Sequence, residues 1–460
     1  MHWLAFAPEP MRLTALIGLI VLPFSASLLR LSRPRDLHRR GTRLIEPRVR
    51  ALHRRSHRAF AGDTRLALAG VRVRALDETK HFKLIGTTGT GKSTAIRALL
   101  EAALRRGDRA IISDPDGGYL ARLHRRHRGD TLLNPFESDS VRWDPFAEIR
   151  SGYDVEQLAS ALIPNSEDAS TREWRAYART FFCAVLRRRH QQDARDLSDL
   201  WRLLAVAPSE ELRPLVEGTA AQPFLEPENA RMFGSIRSVL LSSIAALEYV
   251  TGQRAAGFSV RRWVRTGRGV LFIPYQAGQI AALRSIIAAW LRLAIVEALS
   301  QPEDHDQRLW FVVDELDALG AIDGLKDALA RLRKFGGRCV LGFQSIAQVT
   351  GTYGAADGQT IVENCGNTLI LRCSGSENGG TSHFASRLIG EREVLRRQIS
   401  RGRDGAGGLA AGASRRSTQF STHYVTEAAL LPSELEQLPD LTGYLKLASA
   451  RAWRRVCLGR

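Results

Sequence analysis

Cysteine is scarce in this chain of 460 residues. Cys183, Cys339, Cys365, Cys373 and Cys457 are scattered, form no CxxC pair and share no metal-ligand spacing with histidine. That excludes a disulfide framework and a structural zinc site, and it fits a reducing compartment. Lysine is nearly missing too: six of the 66 basic residues are lysine and the rest arginine. Such a skew follows from a GC-rich coding background. The net charge of +18 and pI near 10.5 are therefore only a partial sign of a polyanionic partner, nucleic acid first and anionic lipid second. No internal repeat is legible.

Long uncharged apolar runs are also rare. Leu13 to Leu29 is one, 17 residues between Arg12 and Arg30, at the short end for a membrane helix. Pro23 inside it is tolerated in such helices. Arg30, Arg33, Arg35, Arg39, Arg40, Arg43, Arg48 and Arg50 crowd its C-terminal side, so the positive-inside rule places the bulk of the chain in the cytoplasm. A signal peptide with Ser25-Ala26-Ser27 as cleavage site is the competing reading. The nucleotide motif below argues against it, because an exported domain meets no ATP. Residues 1–35 are thus expected to form an N-terminal transmembrane helix and 36–75 a basic juxtamembrane segment that meets anionic head groups.

From about Val71 apolar runs alternate with helical patterns. A strand over 81–85, a helix over 93–106 and a strand over 109–113 make a unit of a parallel α/β sheet. Residues 153–250 differ, with long helical patterns at 173–189, 197–205 and 229–249. Strands return at 269–273, 309–313, 338–343 and 368–373, with helices at 281–299 and 325–334 between them. Residues 401–417, rich in Gly, Ala, Ser and Arg, are expected to form a mobile loop.

Two motifs carry chemistry. Gly86-Thr87-Thr88-Gly89-Thr90-Gly91-Lys92-Ser93 fits GxxxxGK[ST], follows an apolar strand and opens a helix, as a P-loop must. Its glycines let backbone N–H groups face phosphate oxygens, and the helix N-terminus adds to that field. Lys92 is expected on the β- and γ-phosphates of ATP and Ser93 on Mg²⁺. Leu309 to Val313 is a buried strand ending in Asp314 and Glu315. Ligands of open α/β sheets bind at that end. Asp314 is expected to hold the metal and Glu315 to act as general base. Gln344 follows the next strand, where a polar side chain can sense the γ-phosphate. Arg331, Arg333 and Lys334 are candidates for action on a neighbouring subunit's nucleotide, and Asp114 is either a turn former or a group near the nucleotide. Lys92 and Asp314 are 222 residues apart, wider than a compact P-loop core needs. The helical block between them reads as an insertion that couples hydrolysis to a partner. Arg122, Arg125, Arg126 and Arg128 read as solvated surface.

The stretches HFKLIGTTGTGKSTAIRALLEAALRRGDRAIISDPDGGYL, LNPFE, WDPFAEI and LWFVVDELDALGAIDGLKDALARLRKFGGRCVLGFQSIAQVTGTYG resemble conjugative coupling proteins of the TraD/TrwB type, from about Val71 to the C-terminus. The resemblance implies an α/β fold: a RecA-like P-loop NTPase domain (76–150 and 253–460) with an inserted all-α domain (151–252). It further implies a homohexamer on the inner membrane, ATP and Mg²⁺ as cofactors, and single-stranded DNA as cargo, with double-stranded DNA as the alternative. Implied partners are a relaxase or relaxosome and the inner-membrane components of a type IV secretion channel. By position Lys92 and Ser93 match the Walker A pair, Asp314 and Glu315 the Walker B pair, Gln344 the glutamine after the next strand, and Arg333 the arginine that completes a neighbour's site. The family commonly has two membrane helices; here one span is legible, and a long acidic C-terminal tail is missing. The alternatives are a nucleotide-dependent membrane receptor, which would not need Glu315, and a chromosome or protein translocase, which would lack the helical insertion and the ARLRKFG–GFQS stretch.

Overall fold

The computed structural model describes residues 36–46, 66–166, 168–376, 379–403 and 416–459. The expected transmembrane helix lies outside the described residues. Among those described, no helix is long and apolar enough to cross a membrane.

The chain divides into two compact units, Met1–Arg43 with Ile389–Leu430, and Leu44–Leu388 with Leu431–Arg460. The second holds a ten-stranded sheet. In chain order its strands are β1 (Leu44–Ile45), β2 (Phe82–Ile85), β3 (Arg109–Pro115), β4 (Thr131–Leu132), β5 (Val270–Tyr275), β6 (Leu309–Val313), β7 (Gly337–Phe343), β8 (Asn367–Ile370), β9 (Thr442–Lys446) and β10 (Trp453–Cys457). In space they run β1-β10-β9-β8-β2-β7-β6-β3-β5-β4. From β8 to β4 every pairing is parallel, while β8–β9 and β9–β10 are antiparallel. The parallel strands read as unbroken apolar runs because both faces of the sheet are covered. Alternate residues go to opposite sides. Ala110, Ile112, Trp310, Val312 and Val340 pack on helix α1 (Lys92–Arg105) through Ile96, Leu99 and Leu100. Ile111, Phe311, Val313, Cys339 and Leu341 face the other core, which contains the helix Ile280–Leu299.

Between β4 and β5 the chain is mostly helical, with Gly152–Leu162, Ala169–Gln191, Leu197–Ala205, Ser209–Val216 and Ala230–Ile244 the longest pieces. Its entry and exit lie side by side: Arg142–Trp143 pairs in parallel with Gly257–Phe258. Buried Glu148 ties the two connectors together. It accepts from Trp143 Nε1 at 2.8 Å on the way in, and from Ser259 Oγ (2.8 Å), Val260 N (2.7 Å) and Arg261 N (3.1 Å) on the way out. Arg261 also pairs with buried Asp154.

The other unit is a three-stranded antiparallel sheet of Leu37–Gly41, Glu391–Arg403 and Arg416–Ala428. This corrects the expected loop over 401–417, since residues 401–403 and 416–417 belong to paired strands and only 404–415 fall outside the described residues. Part of the basic segment 36–75 thus lies in strands, Leu37–Gly41 in this sheet and Leu44–Ile45 in the ten-stranded one. Glu393 anchors this sheet through Arg39 and Arg40 at 2.8 and 2.7 Å.

Candidate nucleotide site

The loop between β2 and α1 bends where glycine permits. Gly89 has φ +79° and Gly91 φ +107°. A side chain on Gly91 would stand 2.6 Å from Leu441 Cδ2, the end of a side chain that can turn aside, so it is the dihedral that calls for glycine here. The loop is braced from outside. Thr87 N donates to the Arg372 carbonyl at 2.9 Å, and Leu441 N donates to the Thr90 carbonyl at 2.9 Å. Inside it, Thr90 Oγ1 donates to the Thr87 carbonyl at 2.7 Å.

Strands β6 and β7 end beside this loop. Asp314 is 2% exposed, and the bare Gly342 next to it leaves the space its carboxylate fills. Ser93 Oγ donates to Asp314 Oδ2 at 2.5 Å, and Lys92 Nζ lies 3.8 Å from Oδ1. Asp314 Oδ1 is buried and has no hydrogen-bond partner. Glu315 is held above the usual carboxylate range by burial; Lys92 opposes this and Asp314 reinforces it. Gln344 bridges the two motifs: its Nε2 donates to Glu315 Oε1 at 3.1 Å and its Oε1 accepts from Thr88 Oγ1 at 2.9 Å.

Gly86 to Ser93, Asp314, Glu315 and Gln344 thus come together at one end of the parallel sheet. Arg333 does not join them. It is exposed on the turn Leu332–Phe335 that precedes β7, whereas Gln344 follows β7, so about 23 Å of strand separates them. Arg333 cannot serve the nucleotide site of its own chain.

Sequence reasoning missed Tyr119. Its hydroxyl donates to Asp314 Oδ2 at 2.7 Å. Asp114, at the end of β3, accepts from Tyr119 N at 3.0 Å and Leu120 N at 2.6 Å, and burial pushes its carboxyl up to about 6. The one available signal was the turn Asp114–Gly118 after an apolar strand, and it becomes informative only once β3 is known to neighbour β6. In the basic cluster Arg128 pairs with Asp130 at 2.6 Å, and Arg125 donates to the Arg122 and His124 carbonyls. Among the described residues no group of three or more His, Cys, Asp or Glu could by itself hold a metal ion.

Three comparisons bear on this geometry. The coupling protein TraD of Escherichia coli (strain K12) is 31% identical over 382 residues, 80% of this chain and 51% of TraD. The chain spans about half the length of the curated relatives it matches. Among solved structures, the unbound form of the bacterial conjugative coupling protein TrwBdeltaN70 is 30% identical with a TM-score of 0.77, covering 93% of this chain and 95% of that one. The plasmid coupling protein TrwB in complex with ADP and Mg²⁺ is 29% identical, with the same TM-score and coverage. A family model described as the type IV secretion-system coupling protein DNA-binding domain matches residues 65–458, and the chain belongs to that family.

Proposed function

We propose that this chain is a membrane-anchored ATPase that couples relaxosome-bound DNA to a type IV secretion channel and drives single-stranded DNA through it. The observation that carries this reading is the meeting of Lys92, Ser93, Asp314, Glu315 and Gln344 at the C-terminal end of a parallel sheet, in a chain whose family and nucleotide-bound structural relative are coupling proteins. Residues 76–150 and 253–460 would supply the RecA-like NTPase, 151–252 the inserted all-α domain, 36–75 a basic segment and 1–35 a single-pass inner-membrane anchor.

The buried Asp314 Oδ1, which takes no hydrogen bond and has the Lys92 ammonium at 3.8 Å, and the Ser93 hydroxyl are hard oxygen donors that fit Mg²⁺ sharing its shell with phosphate and water. When bound, the ion would shield and orient the phosphate oxygens. The backbone N–H groups from Gly86 to Ser93 cradle the phosphates, and Lys92 draws the γ-phosphate charge. Glu315, made more basic by burial, takes the proton of the attacking water. Gln344 touches both the loop and Glu315, so loss of the γ-phosphate reaches the strand end through it. Arg333, remote from its own site, would complete a neighbour's site in a homohexamer. A receptor that binds ATP without turning it over would not need Glu315 hydrogen-bonded in place.

The test is ATP turnover by the full chain in detergent, beside Lys92→Ala. Turnover abolished by the substitution supports an ATPase here; equal turnover in both would attribute the activity elsewhere.

A further inference from the structure

Asp314 carries more than its motif explains. Its Oδ2 accepts two hydroxyls, Ser93 Oγ from the loop and Tyr119 OH from the turn after β3, at 2.5 and 2.7 Å. Its Oδ1 is left without a hydrogen bond. Two donors converging on one oxygen fix the plane of a carboxylate and leave its second oxygen free for a cation. Second-layer partners orient metal ligands in this way.

Tyr119 is delivered by a built turn. Asp116 and Gly117 both take left-handed dihedrals, φ +57° and +67°. Asp116 N donates to the Tyr275 carbonyl at 2.8 Å, tying the turn to β5. The Asp114 carboxylate takes both Tyr119 N and Leu120 N, closing the start of the following helical turn. The ring of Tyr119 is buried among Ala110, Ile112 and the residues of α1, a place phenylalanine would fill equally well. The hydroxyl is what packing does not explain.

We propose that Tyr119 is a positioning residue of the metal site: its hydroxyl, set in place by Asp114, turns Asp314 so that Oδ1 faces the cation. This rests on the reading of the loop and strand ends as a nucleotide and Mg²⁺ site.

The test uses the full chain with ADP and Mn²⁺ as probe, free Mn²⁺ being followed by electron paramagnetic resonance. Tyr119→Phe keeps the ring and removes the hydroxyl. It is expected to weaken Mn²⁺ binding to the protein–ADP complex about tenfold, while ADP binding without metal and the melting temperature stay at wild-type values. Asp114→Asn, which retains one acceptor for the two N–H groups, is expected to weaken Mn²⁺ binding by a smaller factor. Equal Mn²⁺ affinity in wild type and Tyr119→Phe would overturn the positioning role alone. Wild type that takes up no Mn²⁺ with ADP would overturn the nucleotide-site reading and this one with it. Loss of ADP binding and melting temperature together in Tyr119→Phe would show that the hydroxyl holds the fold rather than the metal ligand.

Discussion

At the scale of single residues, the chemistry is concentrated where backbone and side chain are both constrained. Gly91 combines a positive φ with a wall formed by Leu441 and Leu458. Gly91→Ala would therefore meet two obstacles, a strained dihedral costing roughly 1–3 kcal/mol and a contact with Leu441. Nucleotide affinity should fall tenfold or more, read by titration with a fluorescent ADP analogue. Adding Leu441→Ala removes the nearest contact but leaves Leu458 Cδ1 at 3.1 Å and the strain, so it should recover only part of the loss. Full recovery would show that space, not dihedral, sets the requirement. Lys92, Ser93, Asp314 and Glu315 were legible in the sequence because each motif carries its own flanks, a strand before and a turn or helix after. Tyr119 and Leu441 were not, because their contacts arise from strand order: β3 beside β6, and a C-terminal segment folded back onto Thr90.

At the scale of elements, the parallel strands from β8 to β5 could be read to within a few residues, since burial on both faces writes them as apolar runs, whereas the two-residue edge strand Thr131–Leu132 was not. Leu309–Val313 is found as read, and the helix at 325–334 ends at Arg331 with its last turn tightened over Leu332–Phe335. The antiparallel hairpin of Glu391–Arg403 and Arg416–Ala428 was not legible. Its strands are rich in Arg, Ser and Thr, and the side chains described in them are largely exposed, so no apolar run marks them. The connectors of the helical block were likewise silent, because nothing in the sequence says that Glu148 finds donors more than a hundred residues away. Glu148→Ala would leave four buried donors unpaired at that junction, a loss of about 3–5 kcal/mol. Urea unfolding followed by tryptophan fluorescence should shift to lower denaturant, with Glu148→Gln in between. An unchanged midpoint would mean that the paired strands and the Arg261–Asp154 pair hold the junction unaided.

At the scale of the whole molecule, Arg333 gives the sharpest constraint. Held a strand's length from its own Asp314 and Glu315, it could reach a nucleotide only in another copy, as its proposed role requires. Arg333→Ala should cut turnover roughly 10³-fold. Mixing it with inactive Lys92→Ala should restore part of the activity, because a Lys92→Ala subunit still offers Arg333 to an intact neighbouring site. No restoration on mixing would remove Arg333 from the neighbour's site. The central claim is that hydrolysis at this site is spent on DNA, and the most direct test is turnover by the full chain with and without single-stranded DNA across a salt series. Stimulation by DNA is expected, fading steeply as salt rises through counterion release and lost in Lys92→Ala. Turnover indifferent to DNA at every salt concentration would contradict it.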